Sequence, residues 1–185
     1  VTGALVGGVA AALGAKIFGG DSKDVRNAAV GGAVAGGAIG GIDGYNKAKR
    51  EQSANNELRA VQAAAADVRA DNTRLQALID SSSTVLAEGK TRLETLRKDV
   101  AAKRVSADQA AQARKREEAN VDSMKKALAK AKETREQYAQ SSAKFSGSPA
   151  EKRDLDAEIT RMGQQVAALE KNISDYNQAL IVSRA

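Results

Sequence analysis

The sequence predicts an all-α chain: a glycine-zipper transmembrane hairpin, then a long coiled-coil helix, then a C-terminal antiparallel return helix. Three observations carry this. Thirteen of the sixteen glycines fall before residue 45, with a spacing of four. One frame of apolar positions alternating three and four apart runs from Leu58 to Phe145. A single proline and abundant Ala, Glu, Lys, Arg, Gln and Leu favour helix throughout, and five aromatics in 185 residues leave little for a large globular core.

The glycine-rich segment spans residues 1–44. Gly32, Gly36, Gly40 and Gly44 form an unbroken four-residue repeat, and Gly3, Gly7 and Gly19, with Ala11 and Ala15 between, form an earlier one. Residues four apart stack on one helix face. A face of hydrogens and methyls lets a second backbone approach closely, a main source of helix association in lipid. Residues 1–19 hold one charge, Lys16; residues 28–42 hold none; the polar stretch GGDSKD joins them. Each apolar segment is roughly 23 to 30 Å long as a helix, which suits a thin bilayer. Flexible glycine linkers lack the Leu, Val, Ile and Phe found here. Tyr45, Lys47, Lys49 and Arg50 then read as an anchor at the membrane interface.

Residues 45–145 are expected to be one coiled-coil helix, roughly 150 Å long. Its seam includes Leu75, Ile79, Leu93, Leu96, Val121 and Leu128. Two places could interrupt it: Ser81-Ser82-Ser83, and SADQ at 106–109, which reads as a capping box. The frame crosses both unshifted, which favours continuity. Polar seam positions (Asn72, Lys103, Arg114, Glu117, Arg135) would set register. The phase does shift at SGSP, 146–149, where Ser148, Pro149 and Glu151 match a helix start. A third segment, 150–185, has the seam Leu155, Ile159, Val166, Leu169 and Ile173 and is expected to fold back on roughly 111–145.

Composition excludes several chemistries. With no histidine and no cysteine, thiolate, haem and typical zinc sites are ruled out, and so are Ser-His and Cys-His pairs. No catalytic residue, cofactor or metal is expected. Gly89-Lys90-Thr91 resembles the end of a phosphate-binding loop, but position 84 is Thr and no strand precedes it, so a small seam residue is the better reading. The net charge of +6 lies between the ends: residues 45–149 hold 21 basic and 14 acidic side chains. The basic stretch 104–132 contains no aromatic for base stacking, so a solvated helix face is favoured and no nucleic-acid partner is expected.

GALVGGVAAALGAKIFGG, a polar turn and AAVGGAVAGGAIGGIDG together resemble the paired glycine-zipper segment of bacterial envelope proteins, many of them outer-membrane lipoproteins. The resemblance covers residues 1–44 only. It implies an envelope location and clustered self-assembly, with membrane lipid, further copies of the chain and another envelope protein as partners. The chain departs from that pattern in its long helical part and in having no lipid-bearing cysteine. Val1 in place of Met hints at a removed leader and export. The expected protein is a non-enzymatic, membrane-anchored scaffold of the outer membrane with a periplasmic helical stalk, the inner membrane being the other site. Three alternatives are a pore lined by the zipper helices, a viral membrane-penetration protein that delivers a genome, and a soluble filament or tail component.

Overall fold

The computed structural model describes residues 41–184, and these are helical apart from short connections. Four helices follow in order: α1 (Gly41–Gln52), α2 (Glu57–Ala101), α3 (Ala107–Lys144) and α4 (Pro149–Val182). The helices α2, α3 and α4 run up, down and up. The helix α4 lies in the groove between the other two and touches each more extensively than they touch each other. At one end, α1 packs across α2 and α3. The zipper positions Gly3, Gly7, Gly19, Gly32, Gly36 and Gly40 lie outside the described residues; Gly44 lies in α1.

The return of α4 along α3 matches expectation. The Ser142 hydroxyl donates to Asp156 at 2.6 Å, Lys132 pairs with Glu170 at 2.8 Å, and Arg114 donates to the Ser183 carbonyl at 2.7 Å. Sequence numbers fall on one helix as they rise on the other, the mark of an antiparallel pair. Ser148 caps α4 through a reciprocal box with Glu151, and Pro149 sits in the first turn.

The expectation of one continuous helix over 45–145 is corrected twice. The chain turns at 53–56, with Ala54 and Asn55 at φ 53° and 57°, and again at 102–106, with Lys103 at φ 54°. After the second turn Ser106 and Gln109 form the capping box that begins α3. The Arg104 amide bonds to the Asp99 carbonyl at 2.8 Å, and its guanidinium reaches the Asp99 carboxylate at 2.8 Å. The three serines at 81–83 do not interrupt α2. Ser82 is buried, and Asn172 of α4 donates to the hydroxyls of Ser82 and Ser83, both at 2.9 Å. The hairpin shortens the rod: the 45 residues of α2 give about 68 Å, under half the expected reach.

The seam closes within one chain. Leu75, Ile79, Leu93, Val121, Leu155, Ile159, Val166, Leu169 and Ile173 are all buried, while Leu96 and Leu128 are half-buried near its margins. A second row widens each face, one residue before a seam position and repeating every seven. It reads Ala64, Asp71, Leu78 and Val85 on α2; Asn120, Ala127, Thr134 and Ser141 on α3; Glu158, Gln165, Asn172 and Ala179 on α4. A helix with two adjacent buried rows meets two neighbours at once, which is the requirement of a three-helix bundle.

The turn at Lys103 is testable by sign. A left-handed residue that is not glycine is strained by about 1 kcal/mol, so Lys103→Gly should raise stability by about 0.5 kcal/mol in urea melts. In a continuous helix the same change would lower it by about 1 kcal/mol. Ser106→Ala should lower stability by about 1 kcal/mol through loss of the cap.

Candidate functional site at the glycine-proximal end

The residues expected to anchor the chain at a membrane interface follow the last zipper glycine directly. The structure gives three of the four internal partners. Tyr45 is 6% exposed, its hydroxyl donates to Asp67 at 2.9 Å, and its ring meets Tyr138 edge-on with centroids 6.1 Å apart. A ring held between helices in this way does not lie at a lipid surface, so the anchor reading of Tyr45 is corrected. Lys49 pairs with the same Asp67 at 2.6 Å and lies 5.5 Å from the centre of the Tyr45 ring. Arg50 grips Glu57 with two hydrogen bonds of 2.8 and 3.1 Å, donates to the Lys144 carbonyl at 3.0 Å and covers the Phe145 ring. Lys47 alone stands in solvent, with a long 3.8 Å pairing to Glu51.

Asn46, 2% exposed, completes the junction. Its amide donates to the Ser141 carbonyl at 3.1 Å, and its side-chain oxygen accepts from the Ser141 hydroxyl. The α1 helix is thus held by α2 through Asp67 and Glu57, and by α3 through Tyr138, Ser141 and Lys144. No flexible linker separates Gly44 from the bundle. Residues 41–44, the described end of the glycine-rich segment, are therefore part of the helix that packs on the bundle.

Burial sets the proton affinities here. It pushes the Tyr45 and Tyr138 phenols up, and the nearby carboxylates of Asp67 and Asp71 push them further. Burial also raises Asp71, despite the Tyr138 hydroxyl donating to it at 2.8 Å and Arg74 beside it. Arg50 holds the Glu57 carboxyl below the usual range, and the Ser146 amide adds a bond of 2.7 Å.

A second polar cluster lies inside the other half of the bundle. Arg92 clamps Glu117 with bonds of 2.7 and 3.0 Å; Asn120 donates to the same carboxylate at 3.2 Å, and so does the fully buried Tyr176 hydroxyl. Burial pushes the Glu117 carboxyl up, but the bonds from Arg92 and Tyr176 outweigh it, and the net shift is down. Burial and the Glu117 bond push Tyr176 up to about 12. Gly89 of α2 faces this hydroxyl, and a methyl there would overlap the phenol. The glycine of the Gly89-Lys90-Thr91 stretch thus serves helix packing. Of the other polar seam positions, Asn72 is buried and donates to Glu158 of α4 at 2.9 Å, Lys103 occupies the turn, and Arg135 is exposed beside Gly163.

These groups bind one another. Among the described residues no cluster of acidic side chains could hold a metal ion. A groove between the first turns of α2 and α4 is lined by two cations, Arg69 and Arg153, two carboxylates, Glu151 and Asp154, and apolar or amide side chains. No Ser, Thr, Cys or Lys side chain lines it. Sequence reasoning missed Asp67, Asp71, Asn120 and Ser141. The seven-residue spacing of small and polar residues beside the seam was the signal for the last three.

Gly89→Ala should destabilise the protein by about 2 kcal/mol, an overpacking effect. Gly89→Ala with Tyr176→Phe should recover part of that loss, and a double-mutant cycle measures the coupling. Asp71 gives a pH test. Its folded-state affinity for a proton is raised, so its charge costs stability above that pKa, and the cost disappears as the pH falls. Asp71→Asn, which keeps an acceptor for Tyr138, should stabilise by up to about 1 kcal/mol at pH 7, and the gain should shrink as the pH falls and vanish below the unfolded-state value, by about pH 3. Glu57 and Glu117 have the opposite sign. Their contribution is full above about pH 5 and is lost as the pH falls through 4 towards 3, which urea melts across that range would show. Comparison of the chain with known protein families, with curated proteins and with solved structures found no match.

Proposed function

We propose that the chain is a non-enzymatic, self-assembling scaffold of a bacterial envelope: its glycine-rich segment holds the membrane and its helical bundle forms a rigid body beside it. The observation that carries this reading is the closure of the seam within one chain. The apolar stripes of α2, α3 and α4 are used up on each other, so the bundle offers no long free seam for joining copies. The close-packing face of the glycine repeat is then the feature that could assemble them. Among the described residues no helix is long and apolar enough to cross a membrane, so on this reading any crossing falls to the glycine-rich segment. The locked junction at Tyr45, Asn46 and Arg50 supports a scaffold: glycine segments packed against one another would hold their bundles in fixed relative orientation.

Light scattering of the intact chain, corrected for bound detergent, tests this. The expected result is a discrete oligomer in detergent, lost in Gly36→Leu with Gly40→Leu while helix content and the urea midpoint of the bundle are retained. A water-soluble monomer, unchanged by those substitutions, would overturn it.

A further inference from the structure

The end of the bundle away from α1 is built differently from the rest of its surface. Among the described residues only four large apolar side chains are exposed: Leu58, Val100, Ile181 and Val182. Three of these lie at this one end. Val100 belongs to the last turn of α2, and Ile181 and Val182 belong to the last turn of α4. The Arg114 bond to the Ser183 carbonyl and the 2.6 Å pairing of Arg184 with Glu118 place the end of α4 beside the first turns of α3. The α2–α3 hairpin runs on past it.

The same tip is basic. Residues 97–116 hold seven Lys or Arg against two Asp. Lys98 pairs with Glu94, Arg104 with Asp99, and Arg114 with the Ser183 carbonyl. The remaining four, Arg97, Lys103, Lys115 and Arg116, are exposed and have no ion pair or hydrogen-bond acceptor among the described residues. Lys103 stands at the turn itself.

We infer that this tip is a docking surface for an anionic phospholipid bilayer. Unpaired cations attract the charged headgroups, and aliphatic side chains beside them enter the boundary between headgroup and acyl chain. Each feature alone is ordinary on a protein surface; their coincidence at one end is what selects lipid. A nucleic acid would match the charge and leave Val100, Ile181 and Val182 without a role, and residues 97–116 hold no aromatic on which a base could stack. This inference does not rest on the glycine-rich segment. Taken with membrane contact there, it makes the bundle a spacer between two lipid surfaces.

The absence of cysteine from the sequence allows a single probe. Ala102→Cys in the turn, and separately Ala150→Cys at the opposite end of the bundle, would each carry an environment-sensitive fluorophore on the full chain. Vesicles of phosphatidylcholine with about 30% phosphatidylglycerol should raise emission at position 102 about threefold with a blue shift, whether or not position 150, beside the glycine-rich segment, also responds. The response should vanish in about 0.5 M NaCl. Arg97→Gln with Lys103→Gln and Arg116→Gln should weaken it about tenfold or more. Ile181→Ser with Val182→Ser should weaken it while leaving the charge intact. An equal response of position 102 to pure phosphatidylcholine would overturn the inference, as would a response at position 150 alone or none at position 102. A response at 102 to a single-stranded oligonucleotide, with none to the anionic vesicles, would overturn it in favour of nucleic acid.

Discussion

The bundle depends on a carboxylate that cannot be left alone. Glu117 sits on the inner face of α3, and its charge is tolerable there only because Arg92 of α2, Tyr176 of α4 and Asn120 all reach it. The phenol reaches it because position 89 has no side chain. A heptad seam by itself is degenerate, since sliding one helix by seven residues returns an apolar stripe to an apolar stripe. A buried charge is not degenerate: the slipped arrangement would strand it at a cost of several kcal/mol. One layer of four residues therefore fixes the relative heights of three helices. Asn72 with Glu158, and Ser82 with Asn172, repeat the restriction at two more levels with uncharged donors.

Legibility in the sequence follows the range of the interaction. The start of α4 was readable because all its determinants are local: Ser148, Pro149 and Glu151 lie within four residues, and the apolar phase shifts there. The turn at 102–106 was misread because phase is blind to any loop that preserves the count. Val100 and Ala107 keep heptad spacing although the chain reverses between them. The capping chemistry of Ser106 and Gln109 was the truer signal, since hydrogen bonding at a helix start has no use inside a continuous helix. Neither turn contains glycine or proline. Ala54, Asn55 and Lys103 adopt positive φ under the pull of the surrounding packing, and of these only asparagine is a common occupant of that region.

The anchor residues show the same divide. Tyr45 beside three cations has the local composition of a membrane interface. What decides its place lies 22 residues onward at Asp67 and farther still at Tyr138, and those contacts exist only once α2 has turned back on α1. The second buried row was legible in principle. Its members are small or polar, and a search confined to large apolar side chains passes over them. That row, and not the seam, explains why the chain closes on itself with three helices: a narrow stripe asks for one partner, and two adjacent rows ask for two.

The two ends of the bundle differ in how they treat charge, and this gives the molecule a direction. At the α1 end Lys49, Arg50, Asp67 and Glu57 neutralise one another within the chain, and the aromatic rings lie beneath the cations. Such an end is mechanically closed: force or orientation applied to α1 passes into α2 and α3 through several bonds at once. At the far end the cations outnumber the carboxylates, and four of them are unpaired among the described residues. An unpaired surface cation adds little to folding, because solvent screens it, so the stability of the bundle does not explain an excess placed at one tip. The hairpin therefore does two separate physical tasks: it folds the seam inward, and it carries the charge left over to the end of the bundle opposite α1.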